Sequence, residues 1–137
     1  MASTITDNQT YPALRYVFVY GTLRRGEQRD INRLHPAPAF IGNAEVEGTL
    51  YSLGSYPGLR LQGGQCVQGE VYQISFELEP VLDEIEGICP VPNGEYVKRD
   101  ISLLCNGLQL TCLIYEVSAE RSHACSVIES GDWLLRT

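Results

Sequence analysis

Hydrophobic positions fall in short runs separated by glycine, proline and polar residues, and the period of the runs changes along the chain. Tyr16-Val17-Phe18-Val19-Tyr20 is wholly aromatic or β-branched without alternation, which predicts a strand covered on both faces. The run stops at Gly21 and turns polar through Thr22-Leu23-Arg24-Arg25-Gly26-Glu27, predicting a tight loop at the end of the strand. Phe40 to Tyr51 carries two apolar patches with Gly42 and Gly48 between them, and Tyr56-Pro57-Gly58-Leu59 is a turn signal ahead of another short extended piece. From Glu70 to Ile74 apolar and polar residues alternate, as in a half-buried strand. Tyr96 to Cys105 and Leu108 to Val117 flank Asn106-Gly107, which predicts a two-residue hairpin because both turn positions need positive φ.

Helical spacing is clearest from Glu77 to Glu86. There Leu78, Val81, Leu82 and Ile85 form one stripe, Pro80 fits the first turn and Gly87 stands where a C-terminal cap belongs. On a helical wheel Glu86 lies nearest the edge of that stripe and Asp83 points most nearly away. Gln28 to Leu34 predicts a short helix or turn ended by His35-Pro36-Ala37-Pro38, and Ala119 to Ile128 a further short helix. Many short strands with glycine bends and one clear helix predict an α+β domain, a small mixed β-barrel, closed or strongly curved, with flanking helices. A Rossmann arrangement is excluded: strands and helices do not alternate regularly, and no Gly-x-Gly-x-x-Gly opens a helix. The polar stretch from Met1 to Ala13 is expected to be a flexible tail, and residues 14–137 one domain.

Composition narrows the function. Ten Lys and Arg against 17 Asp and Glu leave a net charge of −7, the wrong sign for a nucleic-acid partner. Arg15, Arg24, Arg25, Arg29 and Arg33 form a locally basic segment, expected to be a solvated face. The five cysteines show no Cys-x-x-Cys spacing, and His35 and His123 adjoin no ligand cluster, so neither a metal site nor a disulfide framework is expected. Without a signal-like N-terminus or an apolar run of spanning length, a cytoplasmic protein with no membrane partner is expected.

Two stretches carry candidate chemistry. Backbone amides at Gly21, Thr22 and Leu23 can converge to hold an anion such as a carboxylate, although an ordinary strand-end turn has the same sequence. Glu86, at the edge of an apolar stripe and at the negative end of a helix dipole, is expected to have a raised pKa, unless Leu82 to Gly87 is simply a solvated acidic face. Together they supply an anion-binding loop and a perturbed acid, two of the three parts of a proton-transfer site, the third being a positioned substrate.

Val19-Tyr20-Gly21-Thr22-Leu23-Arg24-Arg25-Gly26 resembles the Tyr-Gly-(Ser/Thr)-Leu opening of the gamma-glutamylcyclotransferase-like family. Tyr51 to Gly58, Gly69-Glu70-Val71-Tyr72, Leu82 to Gly87, Gly94-Glu95-Tyr96 with Arg99, and Glu129 to Trp133 follow in family order, so the resemblance covers Tyr16 to Arg136. It is strongest to the short bacterial, YtfP-like branch. The resemblance implies a small β-barrel and a cyclisation of a gamma-glutamyl group to 5-oxoproline that releases an amine or amino acid and needs no cofactor. It also implies that Tyr20, Gly21, Thr22 and Leu23 hold the glutamate end of the substrate and that Glu86 acts as base and then acid. Tyr96 is a further candidate for positioning substrate. The proline-rich loop from Ile88 to Asn93 is longer than the family pattern. A non-catalytic module binding a small carboxylate or phosphate in the Gly21 loop is the alternative. The leaving group and the oligomeric state are not expressed in the sequence.

Overall fold

In the computed structural model, which describes residues 14–136, six strands form one curled mixed sheet, a half-barrel, in the order β4-β5-β1-β3-β2-β6. The strands are β1 (Leu14–Val19), β2 (Ala39–Ser52), β3 (Pro57–Ser75), β4 (Tyr96–Cys105), β5 (Leu108–Val117) and β6 (Ser126–Val127). β1 pairs antiparallel with β3 and parallel with β5, which makes the sheet mixed. An additional parallel pairing of Leu59 with Glu116 curls β3 onto β5. Two α-helices, α1 (Glu79–Ile85) and α2 (Ala119–Ser122), and two 3-10 turns, Ile31–Arg33 and Trp133–Leu135, complete the fold. The tail expected from Met1 to Ala13 lies outside the described residues.

β1 is covered on both faces, as its unbroken apolar run requires. Phe18 packs with Val46, Leu50, Val67, Val71, Cys112 and Ile114 in a core built from the strands, whereas Val17 and Val19 pack with Leu78 and Leu82 of α1 in a second core. The Asn106-Gly107 hairpin forms as expected: Cys105 pairs with Leu108, and the two turn residues have φ of 53° and 77°.

The glycine-rich middle of the chain differs from its expected short strands. β2 and β3 run 14 and 19 residues and pair along most of their length, with irregularities between Phe40 and Gly42 and between Gly48 and Thr49. The glycines bend these strands rather than ending them. At Gly48 a side chain would meet the Arg60 carbonyl and Leu59, so the backbones cross there more closely than any other residue permits.

The helix from Glu77 to Glu86 is shorter than expected: Glu77 and Leu78 lie in the turn leading in, and Gly87 closes it at φ 75°, with its amide and that of Ile88 donating to Glu84 and Asp83 carbonyls. Asp83, expected to point away from the core, is half-buried. It accepts bonds from the Tyr115 hydroxyl (2.7 Å) and from Lys98 Nζ (3.0 Å), because α1 lies across β4 and β5 and their long polar side chains reach its flank. Arg15 and Lys98 also bind Glu79, clamping the start of the helix to the sheet.

Candidate active site

The loop after β1 is shaped by its own carbonyls. Those of Gly21, Thr22 and Leu23 accept from the amides of Arg24 (3.0 Å), Arg29 (2.9 Å) and Ile31 (2.9 Å). Among the described residues, none of the bonds that close the loop uses the amides of Gly21, Thr22 or Leu23. Gly21 is required here for close approach, not for positive φ: a Cβ built on it would stand 2.5 Å from Pro57 Cγ. The Pro57 carbonyl in turn accepts from the Tyr96 hydroxyl (2.7 Å), so Tyr96 holds the Pro57 turn against the loop.

Below the loop, Arg24 is not part of a solvated basic face. Its side chain is 7% exposed, and it donates to Glu70 (3.0 Å) and Asp132 (2.8 Å). Glu70 also accepts from the Arg25 amide (3.0 Å) and the Tyr72 hydroxyl (2.9 Å), and Trp133 Nε1 donates to Glu27 (2.9 Å). A buried ion network therefore fixes the loop to β3 and to the C-terminal segment. Buried charges persist only when paired and hydrogen-bonded in this way.

A cavity of about 330 Å³ opens between this loop and the C-terminal end of α1. It brings together all the residues singled out from the sequence: Tyr20, Gly21, Thr22, Leu23, Glu86 and Tyr96. The carboxyl group of Glu86 is enclosed by protein, while the residue keeps a partly open face toward the cavity. Burial pushes this carboxyl up to about 7; Arg29 opposes the shift and Glu95 adds to it. The tyrosines are neutral wall elements. Burial raises the Tyr20 and Tyr96 phenols far above their ordinary value, and the Tyr20 hydroxyl donates to the Tyr115 carbonyl (2.6 Å) and accepts from the Leu59 amide (3.2 Å).

Other lining residues escaped sequence reasoning. Tyr115 sits in a strand where any buried aromatic reads as core, and Arg29 was submerged in the basic segment. Tyr56 and Glu95 fell within the family-like stretches but carried no evident chemistry. In the fold the Tyr56 hydroxyl donates to Glu95 (2.6 Å), and Arg121 Nε donates to the same carboxylate (2.9 Å), joining three segments at the cavity rim. Asn93 of the proline-rich loop packs its amide against Gly87 and also lines the cavity. Among the described residues, no group of three or more His, Cys, Asp or Glu side chains is placed to hold a metal ion. No helix among them is long and apolar enough to cross a membrane.

The model of the family described as gamma-glutamyl cyclotransferase, AIG2-like matches residues 17–135. A Vibrio cholerae protein provisionally named a gamma-glutamylcyclotransferase is 40% identical over 120 residues, covering 88% of this chain and 96% of that one. The gamma-L-glutamyl-butirosin B gamma-glutamyl cyclotransferase of Niallia circulans is 41% identical over 71 residues, covering 51% of this chain and 44% of that protein. The solution structure of ytfP from Escherichia coli superposes with a TM-score of 0.60 at 30% identity, covering 88% of this chain and 97% of that one. The chain belongs to the gamma-glutamyl cyclotransferase, AIG2-like family, and so to the gamma-glutamylcyclotransferase type of enzyme. The family resemblance and the α+β fold with a strongly curved, barrel-like mixed sheet expected from the sequence are thereby borne out, the sheet being curled into a half-barrel.

Proposed function

We propose that the cavity converts a small gamma-glutamyl amine or gamma-glutamyl amino acid to 5-oxoproline and the free amine or amino acid. Glu86 is the proton carrier, and Tyr20, Gly21, Thr22, Leu23 and Tyr96 form the substrate-binding wall. The observation that carries this reading is a carboxyl group pushed up to about 7 lining the same cavity as a loop whose Gly21, Thr22 and Leu23 amides make no hydrogen bond among the described residues.

The substrate's α-amine is an ammonium group, with no lone pair until it loses a proton. An α-amine has a pKa of about 8, so transfer to a glutamate at the ordinary 4.5 costs about 5 kcal/mol, and to one at about 7 only about 1 kcal/mol. Deprotonated, the nitrogen attacks the gamma-carbonyl carbon, forming the C–N bond of a five-membered ring. The bond from that carbon to the leaving nitrogen then breaks as the proton held on Glu86 passes to that nitrogen, and the second proton that the ring nitrogen must shed follows through the freed carboxylate, so that the amine departs as an ammonium ion. Glu86 finishes as the carboxylate it was at the start, and no water is consumed. The amide loop holds the glutamate end, keeping amine and carbonyl within one molecule in reacting geometry. Free cysteines at all five positions fit a reducing cytoplasmic setting for this reaction.

The test is product analysis over a panel of gamma-glutamyl amines and gamma-glutamyl amino acids. Equimolar 5-oxoproline and free amine from at least one member is the expected result. Release of glutamate would show hydrolysis instead of cyclisation, and binding without turnover across the panel would show the non-catalytic carboxylate-binding module.

A further inference from the structure

Among the described residues that line the cavity, Arg29 is the only cation; the charged groups sharing the lining are Glu84, Glu86 and Glu95. Its backbone amide donates to the Thr22 carbonyl (2.9 Å), so the arginine rises directly from the loop that carries the unused amides. The guanidinium reaches across to the end of α1, where Nη1 makes one long bond to the Ile85 carbonyl (3.4 Å). Among the described residues it forms no ion pair, although other arginines of the same segment do: Arg15 with Glu79 and Arg24 with Glu70. Glu95, the acid across the rim, is already engaged by Tyr56 and Arg121. A planar donor fork without a carboxylate partner among the described residues thus stands on the exposed side of the cavity wall, beside the loop of Gly21, Thr22 and Leu23.

We propose that Arg29 is the side-chain anchor for the α-carboxylate of the substrate, binding it together with the amides of Gly21, Thr22 and Leu23. The proposal rests on the gamma-glutamyl reading above and specifies its recognition. Amide dipoles alone supply partial charge, whereas a guanidinium adds a full charge in a geometry that matches a carboxylate with two parallel bonds. The same placement couples recognition to chemistry. In the free enzyme Arg29 holds the Glu86 pKa down against burial, and a carboxylate seated on Arg29 offsets that pull, so the bound substrate strengthens the base that acts on it. The other groups facing this space are Glu95 ahead of β4, Glu84 on α1 itself, and the neutral phenols of Tyr20 just after β1, Tyr56 just ahead of β3, Tyr96 on β4 and Tyr115 on β5.

The experiment compares the wild type with Arg29→Ala and Arg29→Lys on two substrates of one leaving amine: the gamma-glutamyl amine, and its analogue lacking the α-carboxylate, the 4-aminobutanoyl amide. On the first, Arg29→Ala is expected to raise KM about tenfold with kcat within about threefold, and Arg29→Lys, which keeps the charge but not the fork, to recover only part of the loss. On the analogue, compared above the acidic limb of both pH profiles, the wild type and Arg29→Ala are expected to have the same KM. In the free-enzyme pH profile of kcat/KM, the acidic limb of Arg29→Ala moves to higher pH, which a merely structural residue would not cause. Equal losses on both substrates, or an unchanged KM on the first, overturn the proposal. Calorimetric titration with glutamate gives a readout independent of turnover. If the wild type released no 5-oxoproline yet bound glutamate about tenfold more tightly than Arg29→Ala, the cyclisation reading would fail and the anchor would stand; equal glutamate binding would sink the anchor.

Discussion

Replacing Glu86 by Gln should make the protein more stable at alkaline pH, even as it removes the proposed proton carrier. Burial raises the Glu86 pKa from 4.5 to about 7. The folded state therefore binds this proton more tightly than the unfolded chain, and the associated stability is fully present below about pH 4.5 and lost as the pH climbs through about 7. Held that far above its unfolded value, the carboxyl group costs about 3 kcal/mol to ionise in the fold. Solvent response on the open side of the cavity reduces this to about 2 kcal/mol. Gln has nearly the same shape and cannot ionise, so the variant escapes the cost. Thermal unfolding at pH 8.5 should place Glu86→Gln about 6 °C above the wild type, with the gap narrowing toward pH 5. A gap that does not change with pH, or one that widens toward acid, would refute a buried carboxyl of raised pKa.

Other perturbations probe the supports of the site. Arg24→Met leaves Glu70 and Asp132 without their countercharge and should cost about 3–5 kcal/mol, read from the denaturant midpoint. Gly21→Ala sets a methyl group 2.5 Å from Pro57 Cγ; about 1–3 kcal/mol of destabilisation is expected, with a raised KM for gamma-glutamyl substrates. Tyr20→Phe strips a hydroxyl from the buried Tyr115 carbonyl and Leu59 amide, and should lower stability by about 1–3 kcal/mol and speed hydrogen exchange at Leu59.

What was legible in the sequence follows the range of the forces involved. The Asn106-Gly107 hairpin is decided by local backbone sterics, and its strands match the expected limits of Tyr96 to Cys105 and Leu108 to Val117. The double burial of β1 and the Gly87 stop of α1 are likewise written in adjacent residues. Long-range pairing is not. Arg24 looked solvated because its partners, Glu70 and Asp132, lie 46 and 108 positions away. Asp83 looked outward because a helical wheel has no knowledge of Lys98 and Tyr115 on the neighbouring strands. Gly21 leaves room for a proline 36 residues further on (57 − 21), a close approach that no local pattern announces. The cavity itself could be inferred only as a meeting of two stretches, and Arg29, Glu95 and Tyr115 enter it through tertiary packing alone.

The claim that Glu86 carries the proton is tested most directly by the initial rate of 5-oxoproline release from a gamma-glutamyl amine, measured for the wild type and for folded Glu86→Gln near pH 7.5. The wild type should release 5-oxoproline and amine in equal amounts, and the variant should be about 10²–10⁴-fold slower in kcat. A folded Glu86→Gln enzyme that turns over at the wild-type rate would contradict the account.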